Sequence, residues 1–270
     1  MTASEPNSTH VAAPAERRPA RSDAKRSGTG GGSGGGRRAP VGAPTRAVLL
    51  RSVDFGEADR IVTLLTDAQG RVAVMARGAR RSQKRFGGAL EPFALIEATV
   101  ALGAGDVGRL SEAHVIRAFP RLLGSLEAMR EAGRALELVR AVAPQREGEP
   151  RLLDAVEAML DELDREPGAH GPFARCVLRV LSVIGLAPRL SACVGCGRAP
   201  ELRQASLFDP GRGGIVCRAC GGGPLRLSGP ARAWMMEAQG EVEGTLPIDR
   251  GDLADAESAI DAFVKRHVRS

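Results

Sequence analysis

Two Cys-x-x-Cys pairs in the last third of this 270-residue chain constrain its fold more than any other feature. The pairs read CVGC and CRAC and are separated by 20 residues; they supply Cys193, Cys196, Cys217 and Cys220. This spacing is typical of a zinc ribbon, in which each pair gives two thiolates to one tetrahedral ion. Four thiolates leave no open coordination position, so the sequence predicts a structural Zn²⁺ and not a catalytic one.

Disulfides between these cysteines are the alternative to a metal. The N-terminus lacks the continuous apolar stretch of a secretory signal, and no run of 18 apolar residues occurs anywhere. CxxC pairs without a signal peptide indicate a reducing cytoplasm, where disulfides are rare. The fifth cysteine, Cys176, lies in an apolar helical run, and we expect it to be a buried small hydrophobic residue.

The first 45 residues are predicted to be an unfolded leader rich in glycine, arginine and proline. They have no apolar periodicity and contain the run GTGGGSGGG, which buries too little apolar surface to offset its ordering entropy. Residues 1–46 hold eight basic and three acidic residues, so they carry about five of the six net positive charges. The folded part is therefore nearly neutral. Solubilisation and attraction of a polyanion both stay open as roles for the leader.

Residues 46–120 show the short alternating runs of a small β-barrel. RAVLLRSV, RIVTLLTD and RVAVMARG are followed by ALEPFALIEATVAL and GRLSEAHVIRAF, and Gln69-Gly70 marks a hairpin turn. Five strands in about 75 residues predict an OB-type barrel, with an SH3-like barrel as the alternative.

Residues 121–270 change to helical periodicity, which predicts an all-α region with the zinc module inserted at about residues 188–225. The fold class is thus α+β. The first helix places one apolar face inward and stops before Pro144; a second runs through LLDAVEAMLDELDR, and a third starts at Pro172. Two more follow the module, in ARAWMMEAQG and DLADAESAIDAFVKRHV. The predicted inner face of the first helix comprises Leu126, Met129, Ala132, Leu136, Val139 and Ala143.

A window free of acidic residues, between Asp67 and Glu91, indicates nucleic-acid binding. Six basic residues fall in it, with glycines between them that allow close approach of a ligand: Arg71, Arg77, Arg80, Arg81, Lys84 and Arg85. On one barrel edge they would follow a phosphodiester backbone and release counterions. Aromatic residues are scarce, with one Trp and no Tyr, so we expect binding that tolerates any base sequence.

An enzyme has little support in the sequence. The four histidines are scattered, the glycine run before Arg37 lacks the GK[ST] of a phosphate loop, and the carboxylates of LLDAVEAMLDELDR are expected to form a solvated helix face. A zinc hydrolase would need an open metal position. A zinc-ribbon transcription factor is the alternative function, but residues 198–216 offer few side chains for reading base edges.

The chain resembles the RecO family of DNA repair proteins over residues 46–265. GEADRIVTL, the block GARR…RFGGALEPF and the two cysteine pairs occur in the family's order. The resemblance implies an OB fold, a helical region and a zinc module. The DNA contacts carry over to Arg77, Arg80, Arg81, Lys84 and Arg85, and to Arg60.

The resemblance also implies a function. Members of the family are non-catalytic recombination mediators that bind single- and double-stranded DNA and anneal complementary strands. They work with RecR and help RecA onto DNA coated by single-strand binding protein, whose C-terminal tail they dock. The place of action is the cytoplasm, at the nucleoid.

Overall fold

A closed β-barrel forms the N-terminal part of the structure, a computed structural model that describes residues 42–244 and 246–268. Its strands are β1 (Ala43–Phe55), β2 (Asp59–Thr66), β3 (Gly70–Ala76), β4 (Ala94–Ala101) and β5 (Val107–Ala118). A short helix, α1 (Gln83–Phe86), lies between β3 and β4. The leader predicted over residues 1–45 lies outside the described residues as far as residue 41, and β1 begins at Ala43.

The strand order is β1-β2-β3-β5-β4, and β4 closes the barrel by pairing with β1. All neighbouring strands are antiparallel except β3 and β5, which run parallel. The turn at Gly70 joins β2 to β3 as predicted, with the hydroxyl of Thr66 donating to the carbonyl of Gly70 at 3.0 Å. The barrel is therefore the predicted OB type and not the SH3-like alternative.

The barrel buries apolar residues on both of its surfaces. Inside lie the alternate residues of each strand, such as Val62, Leu64 and Val74. Outside, Val48, Leu65 and Leu95 pack into one core with the helices that follow. One side of the barrel's outer surface is thereby covered.

Seven α-helices are present in the described residues, and the longer ones match the predicted runs. Besides α1, they are α2 (Pro120–Leu123), α3 (Leu126–Val142), α4 (Pro150–Arg165), α5 (Pro172–Val183), α6 (Gly229–Ala238) and α7 (Arg250–His267). Ser125 and Asp249 cap α3 and α7, since each side chain accepts a backbone N–H of the first turn. No helix within the described ranges is long and apolar enough to span a membrane.

The predicted inner face of α3 is wrong at one residue. Leu126 is 70% exposed: it is the first residue of the helix, and the buried residues of α3 begin at Ala128. Ala132, Leu136 and Val139 are buried as predicted.

The acidic face of α4 is only in part the solvated face that the sequence predicts, since its carboxylates also bind arginines of the barrel. Arg46 of β1 donates to Asp154 at 3.1 Å and to Glu157 at 3.2 Å, and it also binds Asp67 at 3.1 Å. Arg117 of β5 reaches a third carboxylate of α4, Asp161, at 2.7 Å. Helical spacing alone cannot distinguish carboxylates that face water from carboxylates that face a neighbouring basic strand.

A further carboxylate of α4 acts as a cap. One oxygen of Asp164 accepts the backbone N–H groups of Arg121 and Leu122 at 2.7 and 3.0 Å. These amides open α2, so they have no partner within their own helix. Helix α4 thus fixes both the barrel and the segment that leaves it.

The region of the predicted zinc ribbon forms a small antiparallel sheet of β6 (Ser206–Asp209), β7 (Gly214–Ile215) and β8 (Leu225–Leu227), in the order β7-β6-β8. Phe208 and Ile215 of this sheet pack into a second helical core with Trp234 of α6. The insertion is therefore part of the apolar packing of the helical region.

A buried arginine also attaches the ribbon to α6. Arg232 is 1% exposed, and its guanidinium donates to the backbone carbonyls of four residues in the ribbon: Leu190, Glu201, Leu202 and Gln204. Burial lowers the pKa of Arg232, but the carbonyl dipoles replace the water that the charge has lost. Sequence analysis did not single out this residue, because an arginine between apolar helix residues has no motif.

We expect Arg46→Met to lower the free energy of unfolding by about 1 kcal/mol at pH 7, since the arginine is partly exposed. Burial opposes ionisation of Asp67, but hydrogen bonds from Thr45 and Arg46 outweigh it and hold its pKa below the usual 3.8. Because the pKa of Asp67 is lower in the folded than in the unfolded protein, its ionised form stabilises the fold at pH values above the unfolded pKa. This stabilisation is lost as the pH falls through the folded pKa.

The difference in free energy of unfolding between Arg46→Met and the unmutated protein should therefore become smaller below about pH 4. Urea denaturation at pH 7 and pH 3 measures it. Arg130→Met, on an exposed part of α3, is the matched control. An equal difference at both pH values would contradict the assigned ion pair.

We expect Arg232→Met to lower the free energy of unfolding by about 3 kcal/mol, because methionine fills the space but leaves buried carbonyls without donors. Arg226→Met, on the exposed side of β8, should change it by less than about 0.5 kcal/mol. Chemical denaturation measures both, and similar losses in the two variants would show that Arg232 is not the anchor.

Candidate metal centre and nucleic-acid interface

The four cysteines of the CxxC pairs meet at one point. Their sulfur atoms all lie within 4.8 Å of one another, and the sulfurs of Cys196 and Cys217 are 3.7 Å apart. One pair comes from the loop after α5 and the other from the turn after β7. Cys176 is separate from them, buried in the helical core as predicted, where burial raises the pKa of its thiol to about 12.

Glycines allow the two cysteine loops to approach. A side chain at Gly195 would lie 3.1 Å from the sulfur of Cys220 and 2.9 Å from the guanidinium of Arg212, so this position has no space for one. Gly221 has a φ of +98°, which a residue with a side chain rarely adopts. The chain thus folds tightly around the four sulfur atoms.

Backbone N–H groups favour a thiolate at one cysteine. The amides of Cys217 and Gly195 donate to the sulfur of Cys193 at 3.3 and 3.4 Å, and such bonds lower the pKa of its thiol to about 6. At Cys220, hydrogen bonding with Cys217 and Cys196 raises the pKa to about 12. Four adjacent thiolates repel one another unless a cation lies between them. The donor set and its closeness therefore fit a soft tetrahedral metal ion.

The basic residues predicted to bind nucleic acid lie mostly in one segment after β3. We call residues 77–85 the basic segment. It is fixed to the turn between β1 and β2: the amide of Gly78 donates to the carboxylate of Asp59 at 2.7 Å, and the amide of Arg80 to the carbonyl of Ala58 at 3.0 Å. Its cations are thus held at one end of the barrel.

Most side chains of the basic segment are accessible. Arg77, Arg80, Arg81 and Lys84 are exposed, and Lys84 has no ion-pair partner within the described part of the chain. Arg85 is half-buried; its guanidinium donates to the hydroxyl of Ser82 and to the carbonyl of Arg77, at 3.2 and 2.7 Å.

Phe86, the aromatic residue of the predicted binding window, lies inside the barrel core and is 4% exposed. It holds α1 against the barrel. A buried ring cannot stack on a base, so this residue has a structural position.

Three acidic residues lie among the arginines, and sequence analysis missed two of them, Asp54 and Glu57. Arg60 binds Asp54 at 3.1 Å and Glu91 at 3.6 Å. Arg80 is 3.9 Å from Asp54, and Arg81 is 3.6 Å from Glu57, which is 94% exposed. Two of these acids belong to the β1–β2 hairpin and therefore lie outside the acid-free window. The hairpin register, which sets Asp54 opposite Arg60, is the signal that could have revealed them.

Arg71 lies apart from the other predicted contacts. It is at the start of β3, roughly 20 Å along the strand from Arg77 at 3.3 Å per residue. Its guanidinium donates to the carbonyl of Ala143 at 3.2 Å, and its backbone N–H to that of Pro144 at 2.9 Å. Arg71 thus joins the barrel to the loop between α3 and α4.

Comparison with known proteins gives one consistent result. Residues 43–119 match the family described as recombination protein O N terminal, and residues 123–270 match recombination protein O C terminal. The chain is 38% identical over 240 residues to DNA repair protein RecO of Anaeromyxobacter dehalogenans; the aligned region covers 84% of this chain and 91% of that relative.

Two other relatives agree. The chain is 39% identical over 177 residues to DNA repair protein RecO of Pelobacter propionicus, covering 66% of this chain and 71% of the relative. It is 37% identical over 175 residues to that of Myxococcus xanthus, covering 65% and 71%. Since the two family matches together span the barrel and the helical region, the chain belongs to the RecO family of DNA repair proteins.

Proposed function

We propose that this protein is a non-catalytic recombination mediator in DNA repair. It binds single- and double-stranded DNA, anneals complementary strands and helps RecA onto DNA coated by single-strand binding protein. The observation that carries the proposal is the basic segment, whose exposed cations are fixed at one end of an OB-type barrel. Membership of the RecO family supports it.

The surface ion pairs around the basic segment suit reversible DNA binding. Pairs between exposed arginines and carboxylates contribute less than about 1 kcal/mol each, because water screens them. A phosphate can therefore replace Asp54 beside Arg80, or Glu57 beside Arg81, at little cost. DNA held by such contacts is bound without regard to sequence and is released readily, as handing it to RecA requires.

Arg60, Arg77, Arg80, Arg81, Lys84 and Arg85 are the DNA contacts that we propose. Arg71 was also predicted from its place in the acid-free window, but its bonds to the α3–α4 loop favour a structural role. We propose that the barrel of residues 46–120 provides this surface and that the helical region of residues 121–270 contacts proteins. Its partners would be RecR and the C-terminal tail of single-strand binding protein, in the cytoplasm at the nucleoid.

We also propose that Cys193, Cys196, Cys217 and Cys220 hold a structural Zn²⁺. Four thiolates around zinc complete its tetrahedral coordination and leave no position for a substrate. The ion would fix the ribbon, whose sheet packs into the helical core.

The basic segment is tested by the double variant Arg80→Glu, Arg81→Glu. We expect its affinity for single-stranded DNA to fall about 100-fold at 0.1 M salt and the salt dependence to decrease by about two phosphate contacts. Fluorescence anisotropy with a labelled oligonucleotide measures both. Arg250→Glu, Lys265→Glu makes the same change of charge on α7 and is the control.

If Arg80→Glu, Arg81→Glu bound DNA as the unmutated protein does, with an unchanged circular dichroism spectrum, the assignment of the basic segment as the DNA-binding site would be wrong. A large preference for one duplex sequence over random single strands would instead favour the zinc-ribbon transcription factor.

The metal is tested by Cys217→Ser. Elemental analysis should find one zinc per chain in the unmutated protein and less than about 0.2 in the variant, together with a lower melting temperature, since metal binding contributes to folding. Cys176→Ala, which alters the separate buried cysteine, should keep its zinc. A full zinc content in Cys217→Ser would show that this cysteine is not a ligand.

A further inference from the structure

Part of the outer surface of the barrel is accessible within the described residues. Where Leu65 and Val48 face outward, the helices cover them. Farther along the same sheet, the outward apolar residues of β1, β2, β3 and β5 are exposed or half-buried and are not members of that core. Cross-strand register places their side chains on one face, because partners in adjacent strands point the same way. We call this surface the open barrel face, and its apolar members are Val53, Phe55, Ile61, Met75 and Val107.

Phe55 is the most accessible apolar side chain of the open barrel face. It is 53% exposed; Val53, two residues before it on β1, is 44% exposed, and Val107, three strands away on β5, is 47% exposed. The chain has seven phenylalanines, all within the described residues, and Phe55 is the only exposed one. It precedes the turn to which the basic segment is bonded, where Arg80 donates to the carbonyl of Glu57 at 3.3 Å. An exposed aromatic ring thus lies next to the cations proposed to bind DNA.

Three arginines lie on the same face of the sheet as this ring. Arg51, Arg77 and Arg109 are exposed and share the open barrel face by strand register: Arg109 pairs with Met75, and Arg77 directly follows β3. None of the three forms an ion pair within the described part of the chain. One carboxylate lies on the same face: Asp59, opposite Phe55, which accepts the amide of Gly78. With three arginines against this one carboxylate, the face combines apolar surface with net positive charge.

Single-stranded DNA matches this combination better than duplex does. Its bases are free to stack on an aromatic ring while its phosphates bind arginines, whereas a duplex keeps its bases stacked inside. We propose that the open barrel face binds single-stranded DNA, with Phe55 stacking on a base and Arg51 and Arg109 joining Arg77 as phosphate contacts. The inference rests on the proposed DNA-binding function and adds to it the basis for preferring single strands.

The chain offers a direct measurement of stacking. Its one tryptophan, Trp234, is 1% exposed in α6, and it has no tyrosine, so Phe55→Trp introduces a single accessible fluorophore. We expect oligo(dT) to quench the emission of Phe55→Trp, while an abasic oligomer of the same length and a blunt duplex leave it largely unchanged. The unmutated protein, which reports Trp234 alone, is the control.

Affinity gives the second measurement. Phe55→Ala should weaken binding of oligo(dT) about 10-fold or more, from the loss of one stacked base, and change binding of duplex less than about 2-fold. Leu126→Ala removes a comparably exposed apolar side chain from α3 and should change neither. Because Phe55 is on the surface, both variants are expected to keep the melting temperature of the unmutated protein.

The outcomes separate this inference from the proposed function. If Phe55→Ala binds oligo(dT) normally and Phe55→Trp is not quenched, while Arg80→Glu, Arg81→Glu loses DNA, the stacking proposal is wrong and the proposed function stands. If neither variant affects DNA binding, both are wrong. Equal weakening of single- and double-stranded binding by Phe55→Ala overturns the preference for single strands. If Phe55→Ala lost binding to a partner protein while its binding of DNA was unchanged, the open barrel face would be a protein-docking surface and the inference would be overturned.

Discussion

Apolar packing of the helices on one side of the barrel is the contact on which the rest of the structure depends. Val48, Leu65 and Leu95 project from the outer surface of the barrel into the core formed by α2 to α5. Each buried side chain of this kind contributes about 2 kcal/mol to the free energy of unfolding. The ion pairs around Arg46 are partly exposed and contribute less. Apolar burial therefore supplies the stability, while the carboxylates of α4 set the register of barrel and helices.

The same contact determines which surface is left for a ligand. Once the helices cover one side of the barrel, its remaining outer residues face solvent together with the β1–β2 turn and the basic segment. Phe55 and the cations beside it share that surface for this reason. The ribbon is attached at a separate place, through Phe208 in the second core and through Arg232, so its four cysteines are not part of the open barrel face.

Much of this fold could be predicted from the sequence. The alternation of apolar and polar residues predicts the five strands. It also restricts the register of strand pairing, because a shift by one residue would turn Val62 and Leu64 out of the barrel. Helical periodicity and the prolines at the start of α4 and α5 gave the helices. The cysteine spacing gave the cluster, since ligand geometry leaves few alternatives once the residue types are known.

The candidate DNA surface was only partly predictable. A count of charge along the chain identified the basic segment but grouped Arg71 with it, although β3 carries Arg71 to the other end of the barrel. It also overlooked Asp54 and Glu57, which are distant in sequence from Arg80 and Arg81 and adjacent in space. Ion pairs between strands depend on register and on turn geometry, and neither appears in a linear count.

The sequence by itself determined the type and order of the elements and the identity of the cysteine cluster, because these follow from local periodicity and from ligand chemistry. Only the tertiary structure decided which side of the barrel the helices cover, which carboxylates face an arginine and that Phe55 lies exposed beside the basic segment. Those outcomes depend on contacts between residues far apart in the chain, such as Arg46 with Glu157, and distance along a sequence carries no information about them.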